Sequence, residues 1–333
     1  MKKNKDLIIP VFISHQGCPH QCVFCNQNRI TGNDKPPSPA EVGKYLALHL
    51  GKVKSGAVVA FYGGSFTGLS RELQTKYLEA VDPFIKTGQV SGIRVSTRPD
   101  YIDEGALSLV KSLGVKTVEL GVQSLDADVL RLSGRGHTSK DSLRAAALVK
   151  ESGLELGIQI MAGLPGDNAD KFIATVKRVI EAAPAFVRIY PALVVKGAPL
   201  EALWRRGGYE PLSLEDAVAQ CASAVKMFRA AGIKVIRLGL QPSKELEEAI
   251  LAGPYHPSFG HLVESELAFE RMSEALAGAP RTEKAEFLVN PRELSVYKGI
   301  KSYNIEKFRA LRKEITIRPA EGVESGGLVM VAA

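Results

Sequence analysis

Three cysteines near the N-terminus are the residues of this chain best suited to metal chemistry. Cys18, Cys22 and Cys25 follow one another in HQGCPHQCVFC with the spacing C-x3-C-x2-C. Three thiolates on one short loop can bind one soft metal centre, but they lack the fourth ligand of a structural zinc site. A [4Fe–4S] cluster held by three cysteines keeps one iron open to bind and activate a small molecule. The motif therefore favours an open iron–sulfur site.

Two other interpretations of these cysteines stay open. His15 or His20 would complete a zinc site, and three buried thiols would bind no metal at all. The fourth cysteine, Cys221, lies far along the chain among alanines and valines, and we interpret it as a buried apolar residue. A cluster of three among four cysteines is not typical of a disulfide framework, and metal binding requires reduced thiols.

The composition is that of a soluble globular protein. Of the 333 residues, 45% are hydrophobic and 24% are charged, and no apolar run approaches the roughly 20 residues that span a bilayer. The N-terminal lysines precede a short apolar segment that Pro10 interrupts, and no signal-peptide cleavage site follows. The sequence therefore predicts a cytoplasmic protein without a membrane partner. A formal net charge of +7 permits an anionic partner such as RNA without requiring one.

Short apolar runs alternate with longer amphipathic stretches from residue 7 to about residue 190. This alternation is typical of repeated βα units and a parallel sheet, so we predict an α/β fold of roughly six units. The strand candidates are LIIPVFI, AVVAFYG, GIRVST, TVELGV, LELGIQIM and FVRIYP. We place a core domain at residues 1–195 and an α/β extension at residues 196–333, which includes the strand candidates IKVIRLGLQ and AEFLVN.

Candidate ligand-binding residues follow the predicted strands, at the edge of a parallel sheet where ligands gather. Gly63 and Gly64, after the second strand, would let the backbone approach a ligand closely, although an ordinary tight turn is the alternative. Arg98, after the third strand, could hold a carboxylate through two hydrogen bonds or cap the strand for structural reasons. Both positions are compatible with one ligand site.

The fourth and fifth strands end in further polar or glycine-rich turns. Glu119 and Gln123 lie four residues apart on the fourth strand and therefore share a face, which we place in a barrel interior. Gly163 and Gly166 flank a proline that fixes a turn after the fifth strand. Each motif is weak alone, but their repeated position at strand ends predicts a shared site.

The cysteine spacing, with Phe24 directly before the last cysteine, resembles the cluster loop of radical S-adenosylmethionine (radical SAM) enzymes. The resemblance covers residues 7–195 and implies an incomplete (β/α)6 barrel. It also implies that the open iron of a [4Fe–4S] cluster chelates S-adenosylmethionine. An electron from the cluster then yields a 5′-deoxyadenosyl radical, which abstracts hydrogen from a substrate. Such an enzyme needs a reductant such as flavodoxin or ferredoxin.

Three further motifs carry the resemblance to the cofactor site. GGSFTG resembles the motif that orients the amino group of S-adenosylmethionine, GVQS the motif whose glutamine meets the cofactor, and GLPG the turn near the adenine. The implied cluster ligands are Cys18, Cys22 and Cys25. The implied cofactor-binding residues are Phe24, Gly63, Gly64, Ser65, Arg98, Gln123, Gly163 and Leu164.

A narrower resemblance is to the catalytic subunit of Elongator, a wobble-uridine tRNA modifier, and its bacterial relatives in the Elongator/MiaB/NifB-like group. It rests on GGSFTGL, TRPDY, GVQSLD, RGHT and GLPGD. Where that subunit has glutamate before TRPDY, this chain has Ser96, so no glutamate contact to the cofactor is implied there. The C-terminal region resembles the radical SAM extension of these relatives, without the acetyltransferase domain.

The substrate stays open between two enzyme classes. Residues 285–318 carry eight Lys or Arg against four Asp or Glu, a net charge of +4, which is typical of a solvated helical face and also of an RNA-binding surface. A tRNA substrate predicts binding that weakens with salt. A small-molecule substrate predicts a closed pocket, for which Arg135, His137 and Tyr190 are candidate contacts. A non-catalytic zinc-binding protein is the third hypothesis.

Overall fold

The computed structural model describes residues 7–32, 35–51, 53, 56–278 and 284–332. Its central element is a seven-stranded sheet in which all neighbouring strands are parallel. The strands follow the sheet in chain order: β1 Ile8–Phe12, β2 Ala57–Tyr62, β3 Val90–Thr97, β4 Val115–Gln123, β5 Glu155–Ala162, β6 Phe186–Pro191 and, after the short β7 Val194–Val195, β8 Lys234–Leu238. The predicted α/β fold with an incomplete parallel barrel is confirmed.

The edge strand β8 extends the sheet beyond the six strands predicted for the core. It pairs with β6, with Val187 opposite Val235 and Ile189 opposite Leu238. The run IKVIRLGLQ identifies this strand correctly, but sequence analysis assigns it to the C-terminal extension. Its β-branched residues predict a strand without indicating which sheet it joins, because that choice depends on tertiary packing.

Helices connect the strands, and most begin at a polar side chain that accepts a backbone N–H. Such caps are Ser38, Ser70, Asp103, Asp126, Thr138 and Asn168. The helices up to β8 are α1 Gln27–Thr31, α2 Pro39–Leu50, α3 Arg71–Glu79, α4 Asp82–Lys86, α5 Glu104–Ser112, α6 Ala127–Leu132, α7 Ser139–Glu151, α8 Ala169–Ala182, α9 Pro199–Arg205 and α10 Leu214–Ala230.

The two faces of the sheet differ in chemistry. Val118 and Leu120 of β4 are fully buried apolar residues. Glu119 lies between them and therefore points to the opposite face, where Arg94 of β3 and Arg188 of β6 contact its carboxylate. One face of the sheet thus packs as an apolar core, while the other carries charged side chains.

The chain divides into two compact units. The first contains Met1–Ser213 and Met227–Tyr255, with the whole seven-stranded sheet, α11 Lys244–Ala249, and β9 Ile250–Ala252, which pairs antiparallel with β7. The second contains Leu214–Lys226 and His256–Ala333.

The second unit is built around a three-stranded sheet. β10 Lys284–Val289 lies in the middle, parallel to β11 Glu314–Pro319 and antiparallel to β12 Leu328–Ala332. The helices of this unit include α12 Phe259–Ala277, α13 Leu294–Lys298 and α14 Tyr303–Ala310, and its core includes Met272, Phe287, Tyr297 and Phe308. No helix in the described ranges is both long and apolar enough to cross a membrane.

Candidate functional site

The cysteine loop leaves the carboxyl end of β1 and leads into α1. It turns sharply because His15 and Gly17 both adopt a left-handed backbone, with φ of 59° and 70°. The Val23 N–H donates to the Ser133 carbonyl at 3.1 Å, which ties the loop to the end of α6. Cys22 is buried, at 7% exposure. The predicted cluster ligands therefore lie on one folded loop at the edge of the sheet.

The glycines after β2 pack directly against this loop. A Cβ atom on Gly64 would lie 2.5 Å from the Gln16 carbonyl oxygen, and one on Gly17 would lie 2.1 Å from the Ser65 carbonyl oxygen. Gly63 adopts φ of 86°, which favours glycine. The space that sequence analysis assigns to an approaching ligand is, at Gly64, filled by the backbone of the cysteine loop.

Ser65 joins the ends of two strands through hydroxyl contacts. It is fully buried, its Oγ lies 3.0 Å from Thr97 Oγ1, and it accepts from the Arg98 backbone N–H at 3.2 Å. Thr67 Oγ1 lies 2.5 Å from the same threonine hydroxyl. In this arrangement Ser65 holds the glycine turn of β2 against the end of β3.

Two arginines converge on the Cys22 sulfur. Arg135 Nη1 donates to Cys22 Sγ at 3.0 Å, and Arg98 Nη1 lies 3.8 Å from the same atom. Arg98 also holds both oxygens of Asp100, at 3.0 and 2.9 Å, and donates to the Arg135 carbonyl. Arg98 does hold a carboxylate through two hydrogen bonds, but that carboxylate belongs to the chain itself.

The RGHT loop lies against the cysteine loop, and its Arg135 and His137 side chains are buried. Arg135 Nε donates to His137 Nε2 at 3.2 Å, and burial lowers the pKa of His137 to about 4, so that ring is neutral. A Cβ atom on Gly136 would lie 2.6 Å from the His20 ring. Of the two residues predicted as substrate contacts, Arg135 contacts Cys22 of the cysteine loop, and His137 lies against Arg135 and Ser142.

The thiols are close enough to influence one another. Burial raises the pKa of the Cys25 thiol to about 12, and the charges of Cys22 and Cys18 also raise it. Cys25 Sγ accepts from Gln27 Nε2 at 3.4 Å. Within the part of the chain that the structure describes, no three His, Cys, Asp or Glu side chains form a group that could hold a single metal ion.

Gln123 ends β4 in an unusual backbone conformation. Its φ is 67°, and the pairing of β4 with β5 shifts register between Gly121 and Gln123. A left-handed conformation is strained for a residue with a side chain and is typical of functional sites. The Gln123 side chain is buried and its Oε1 accepts from Gln159 Nε2 at 3.4 Å. The irregular backbone therefore places the side-chain amide of Gln123 at the carboxyl end of β4.

The turn after β5 lines a pocket of about 210 Å³. Tyr209 Oη donates to the Gly163 carbonyl at 2.6 Å, and Asp167 Oδ2 accepts from the Gly163 N–H at 3.0 Å. Asp167 Oδ1 is buried without a hydrogen-bond partner, and burial raises the pKa of this carboxyl to about 6. Leu164 lines the same pocket and packs in a small apolar cluster with Phe24 and Tyr190.

The face of the sheet that carries Glu119 is called the inner face here. A charged network on this inner face is the feature that sequence analysis missed. Arg94 Nη1 lies 2.9 Å from Glu119 Oε1, and Arg188 Nε lies 3.1 Å from Oε2. Arg188 also donates to the hydroxyls of Tyr62 at 2.6 Å and Tyr190 at 3.3 Å. The signal was present, because an arginine interrupts each of the apolar runs GIRVST and FVRIYP.

The structure therefore groups the predicted residues in three places. Around the cysteine loop lie the cysteines with Gly63, Gly64, Ser65, Arg98, Arg135 and His137. Phe24, Leu164 and Tyr190 share the apolar cluster, with Gly163 beside them in the turn. Gln123 lies at the irregular end of β4.

Comparisons with known proteins match the same parts of the chain. The radical SAM superfamily matches residues 12–179, and a radical SAM C-terminal domain matches residues 184–268. The tRNA uridine(34) acetyltransferase of Methanocaldococcus infernus is 34% identical over 152 residues, or 44% of this chain and 28% of that protein. The protein of the same name from Dehalococcoides mccartyi is 30% identical over 232 residues, or 58% of this chain and 50% of that protein.

A solved structure of archaeal Elp3 from Methanocaldococcus infernus, with an N-terminal deletion, shares the fold. Its TM-score is 0.61 at 22% identity, and the match covers 81% of this chain and 63% of that one. This chain spans 28% and 50% of the length of the two tRNA uridine(34) acetyltransferases named above. Because the family match extends over half of the sequence and includes the cysteine loop, the chain belongs to the radical SAM superfamily, as an enzyme of its Elongator-like group.

Proposed function

We propose that this enzyme holds a [4Fe–4S] cluster through Cys18, Cys22 and Cys25, cleaves S-adenosylmethionine reductively, and acts on tRNA. The observation that carries the proposal is the loop after β1, where three thiols lie together and two guanidinium groups face one of them. Thiolates are the ligands that iron–sulfur clusters use, and nearby cations suit an anionic centre. When bound, the cluster supplies the electron for the cleavage, drawn from a donor such as flavodoxin or ferredoxin.

The donor set fits a cluster better than a single zinc ion. Ligands of one tetrahedral zinc must converge at about 2.0–2.3 Å from one point. The described residues contain no group that could hold a single ion in this way. Three cysteines of a cubane bind three different irons, so their sulfurs stay further apart. Three cysteines on one loop match the three-thiolate ligand set of such a cluster and are one short of a four-ligand zinc site, which supports the cluster over the zinc alternative.

The surrounding residues would bind and orient S-adenosylmethionine. The strained end of β4 presents the Gln123 amide at the edge of the sheet. The pocket beside Gly163 and Leu164 offers backbone polar groups next to an apolar wall, a combination suited to an adenine ring. Phe24, directly before Cys25 in the cysteine loop, packs in the same apolar cluster as Leu164. We propose these residues as cofactor contacts, with Gly63, Gly64, Ser65 and Arg98 positioning the cysteine loop.

A tRNA substrate is supported by the relatives and by the second unit. The relatives named above are tRNA uridine(34) acetyltransferases. A surface groove of about 400 Å³ in the second unit has four basic residues and one acid in its lining, together with two isoleucines. The basic residues are Lys284, Arg309, Arg312 and Lys313, and the acid, Glu314, pairs with Lys284 at 2.7 Å. Arg309 pairs with Glu306, but both side chains are well exposed, at 70% and 55%. Exposed pairs of this kind contribute little and can exchange for phosphate contacts.

The cofactor chemistry is tested on anaerobically reconstituted protein. We expect about four irons per chain in the wild type. Cys22→Ala should remove the iron, whereas Cys221→Ala should keep it, because Cys221 is fully buried in α10 and does not belong to the loop that carries the other three cysteines. With dithionite and S-adenosylmethionine the wild type should release 5′-deoxyadenosine. A fully loaded, reducible protein that releases none would overturn the proposed reaction.

The substrate is tested separately by tRNA binding. Replacing Lys298, Lys301, Arg309 and Arg312 with glutamine should weaken binding and flatten its dependence on salt, since each lost phosphate contact removes roughly one released counterion. Release of 5′-deoxyadenosine without tRNA should be unchanged in this variant. Wild-type protein that binds no tRNA at low salt in a gel-shift assay would contradict the RNA proposal and favour a small-molecule substrate.

A further inference from the structure

Arg135 is a buried cation that forms no ion pair with a carboxylate among the described residues. Its exposure is 5%, and each of its three guanidinium nitrogens donates to one group: Nη1 to the Cys22 sulfur, Nε to the His137 ring and Nη2 to the Gly121 carbonyl. The His137 ring is neutral, so neither it nor the carbonyl balances the charge. A buried charge without a partner is strongly unfavourable, and the remaining contact is the sulfur of Cys22.

The other largely buried arginines around the sheet each contact a carboxylate of the protein. Arg98 holds Asp100 through two hydrogen bonds, and Arg94 and Arg188 share the carboxylate of Glu119. Arg135 therefore differs from them in having a cysteine where they have an acid.

We propose that Arg135 is a positioning residue for the iron–sulfur cluster: it donates to the Cys22 thiolate, serves as counter-charge to the cluster, and favours its reduced form. The inference rests on the proposed function, since Cys22 must be a cluster ligand. Arg135 Nη1 lies 3.0 Å from Cys22 Sγ, against 3.8 Å for Arg98 Nη1, so Arg135 makes the stronger contact.

The geometry holds the guanidinium group in place for this role. Nε donates to His137 and Nη2 donates to the Gly121 carbonyl, which leaves Nη1 directed at Cys22. One-electron reduction adds negative charge to a cluster and its thiolates, and hydrogen bonds to the sulfurs are a main determinant of cluster potential. Loss of Arg135 should therefore make the cluster harder to reduce.

The test is a redox titration of the reconstituted protein, followed by the EPR signal of the reduced cluster without S-adenosylmethionine. We expect Arg135→Gln to lower the ratio of reduced to oxidised cluster at least tenfold at a fixed potential, a shift of about 59 mV for a one-electron couple. Arg144→Gln, at an exposed position of α7, is the matched control and should keep the wild-type potential. An unchanged potential in iron-loaded Arg135→Gln would overturn the inference.

A second measurement decides the matter if Arg135→Gln does not bind iron. Wild-type protein labelled with 15N-arginine should show a 15N coupling to the reduced cluster in pulsed EPR, because Nη1 contacts a ligand sulfur. Absence of that coupling would refute the contact. A wild type that binds no iron would instead overturn the proposed function, so the two failures are distinguishable.

Discussion

Buried arginines occupy two regions of the seven-stranded sheet, and their charges are balanced in different ways. On the inner face, Arg94 and Arg188 flank Glu119, which is supplied by the strand between them. At the carboxyl edge, Arg135 contacts a thiol that carries charge only when deprotonated or bound to metal. On the inner face the two arginines share one carboxylate of the protein, whereas Arg135 at the edge contacts no carboxylate among the described residues and depends on a ligand for its counter-charge.

The inner face and the carboxyl edge also differ in backbone conformation. The inner-face residues Arg94, Glu119 and Arg188 do not adopt a left-handed backbone, although the strand pairing shifts register next to each arginine. At the edge, His15 and Gln123 adopt left-handed conformations, and Gly17 and Gly64 accept contacts that leave no room for a Cβ atom. Strain and unbalanced charge both cost stability and are typical of functional sites. The comparison predicts that acids on the inner face stabilise the fold, whereas an acid at the edge can destabilise it.

The largest expected effect is at the inner face. Glu119→Gln would leave two buried guanidinium groups without a carboxylate, which should lower the free energy of unfolding by about 3–5 kcal/mol. Glu306→Gln is the control, because its pair with Arg309 is exposed and should change stability by less than about 1 kcal/mol. Urea denaturation of both variants checks this, and equal small losses would show that the inner-face network is not a stabilising element.

The sequence predicted the elements of the sheet well and the contacts between its loops poorly. Six strand positions and the strand-end positions of the glycine turns follow from local patterns of apolar residues and glycine. The contact of Arg135 with Cys22 joins residues 113 positions apart, and no local pattern encodes it. The left-handed backbone of Gln123 could not be predicted either, because glutamine, unlike glycine, has no preference for that conformation. The ion pair between Arg98 and Asp100 could have been predicted, since the two residues lie only two positions apart in the sequence.

The next largest effect concerns Asp167 at the edge of the sheet. Its ionised carboxylate should lower the free energy of unfolding, whereas the carboxylate of Glu119 should raise it. Burial raises the pKa of Asp167 to about 6, above the value of about 3.9 in an unfolded chain, so the folded state holds the proton more tightly. Stability should therefore fall as pH rises from about 4 to about 6, by about 2–3 kcal/mol, and then level off.

Asp167→Asn removes this titration while keeping an oxygen to accept from the Gly163 N–H. Its stability relative to wild type should rise across the same pH interval, measured by denaturation at several pH values. Asp170→Asn, at an exposed position of the same loop-to-helix junction, is the control for the loss of one carboxylate there. A flat difference for Asp167→Asn would contradict a raised pKa.

The smallest expected effect tests whether the glycines at the edge serve packing between loops. Gly64→Ala would place a Cβ atom 2.5 Å from the Gln16 carbonyl, so the cysteine loop must shift, at a cost of about 1–3 kcal/mol. Gly43→Ala is the matched control, because nothing lies within 4 Å of its Cβ position in the middle of α2, and alanine there should stabilise the protein by about 0.5–1 kcal/mol.

Iron content separates the packing role of Gly64 from a role in holding the cofactor. If Gly64 supports the cysteine loop, Gly64→Ala should reduce iron binding together with stability, because the displaced backbone carries the ligands. Full iron content with weaker binding of S-adenosylmethionine, measured by calorimetry on the loaded protein, would assign the glycine to the cofactor instead. Since the clash is with a carbonyl of the loop itself, we expect the loss of iron.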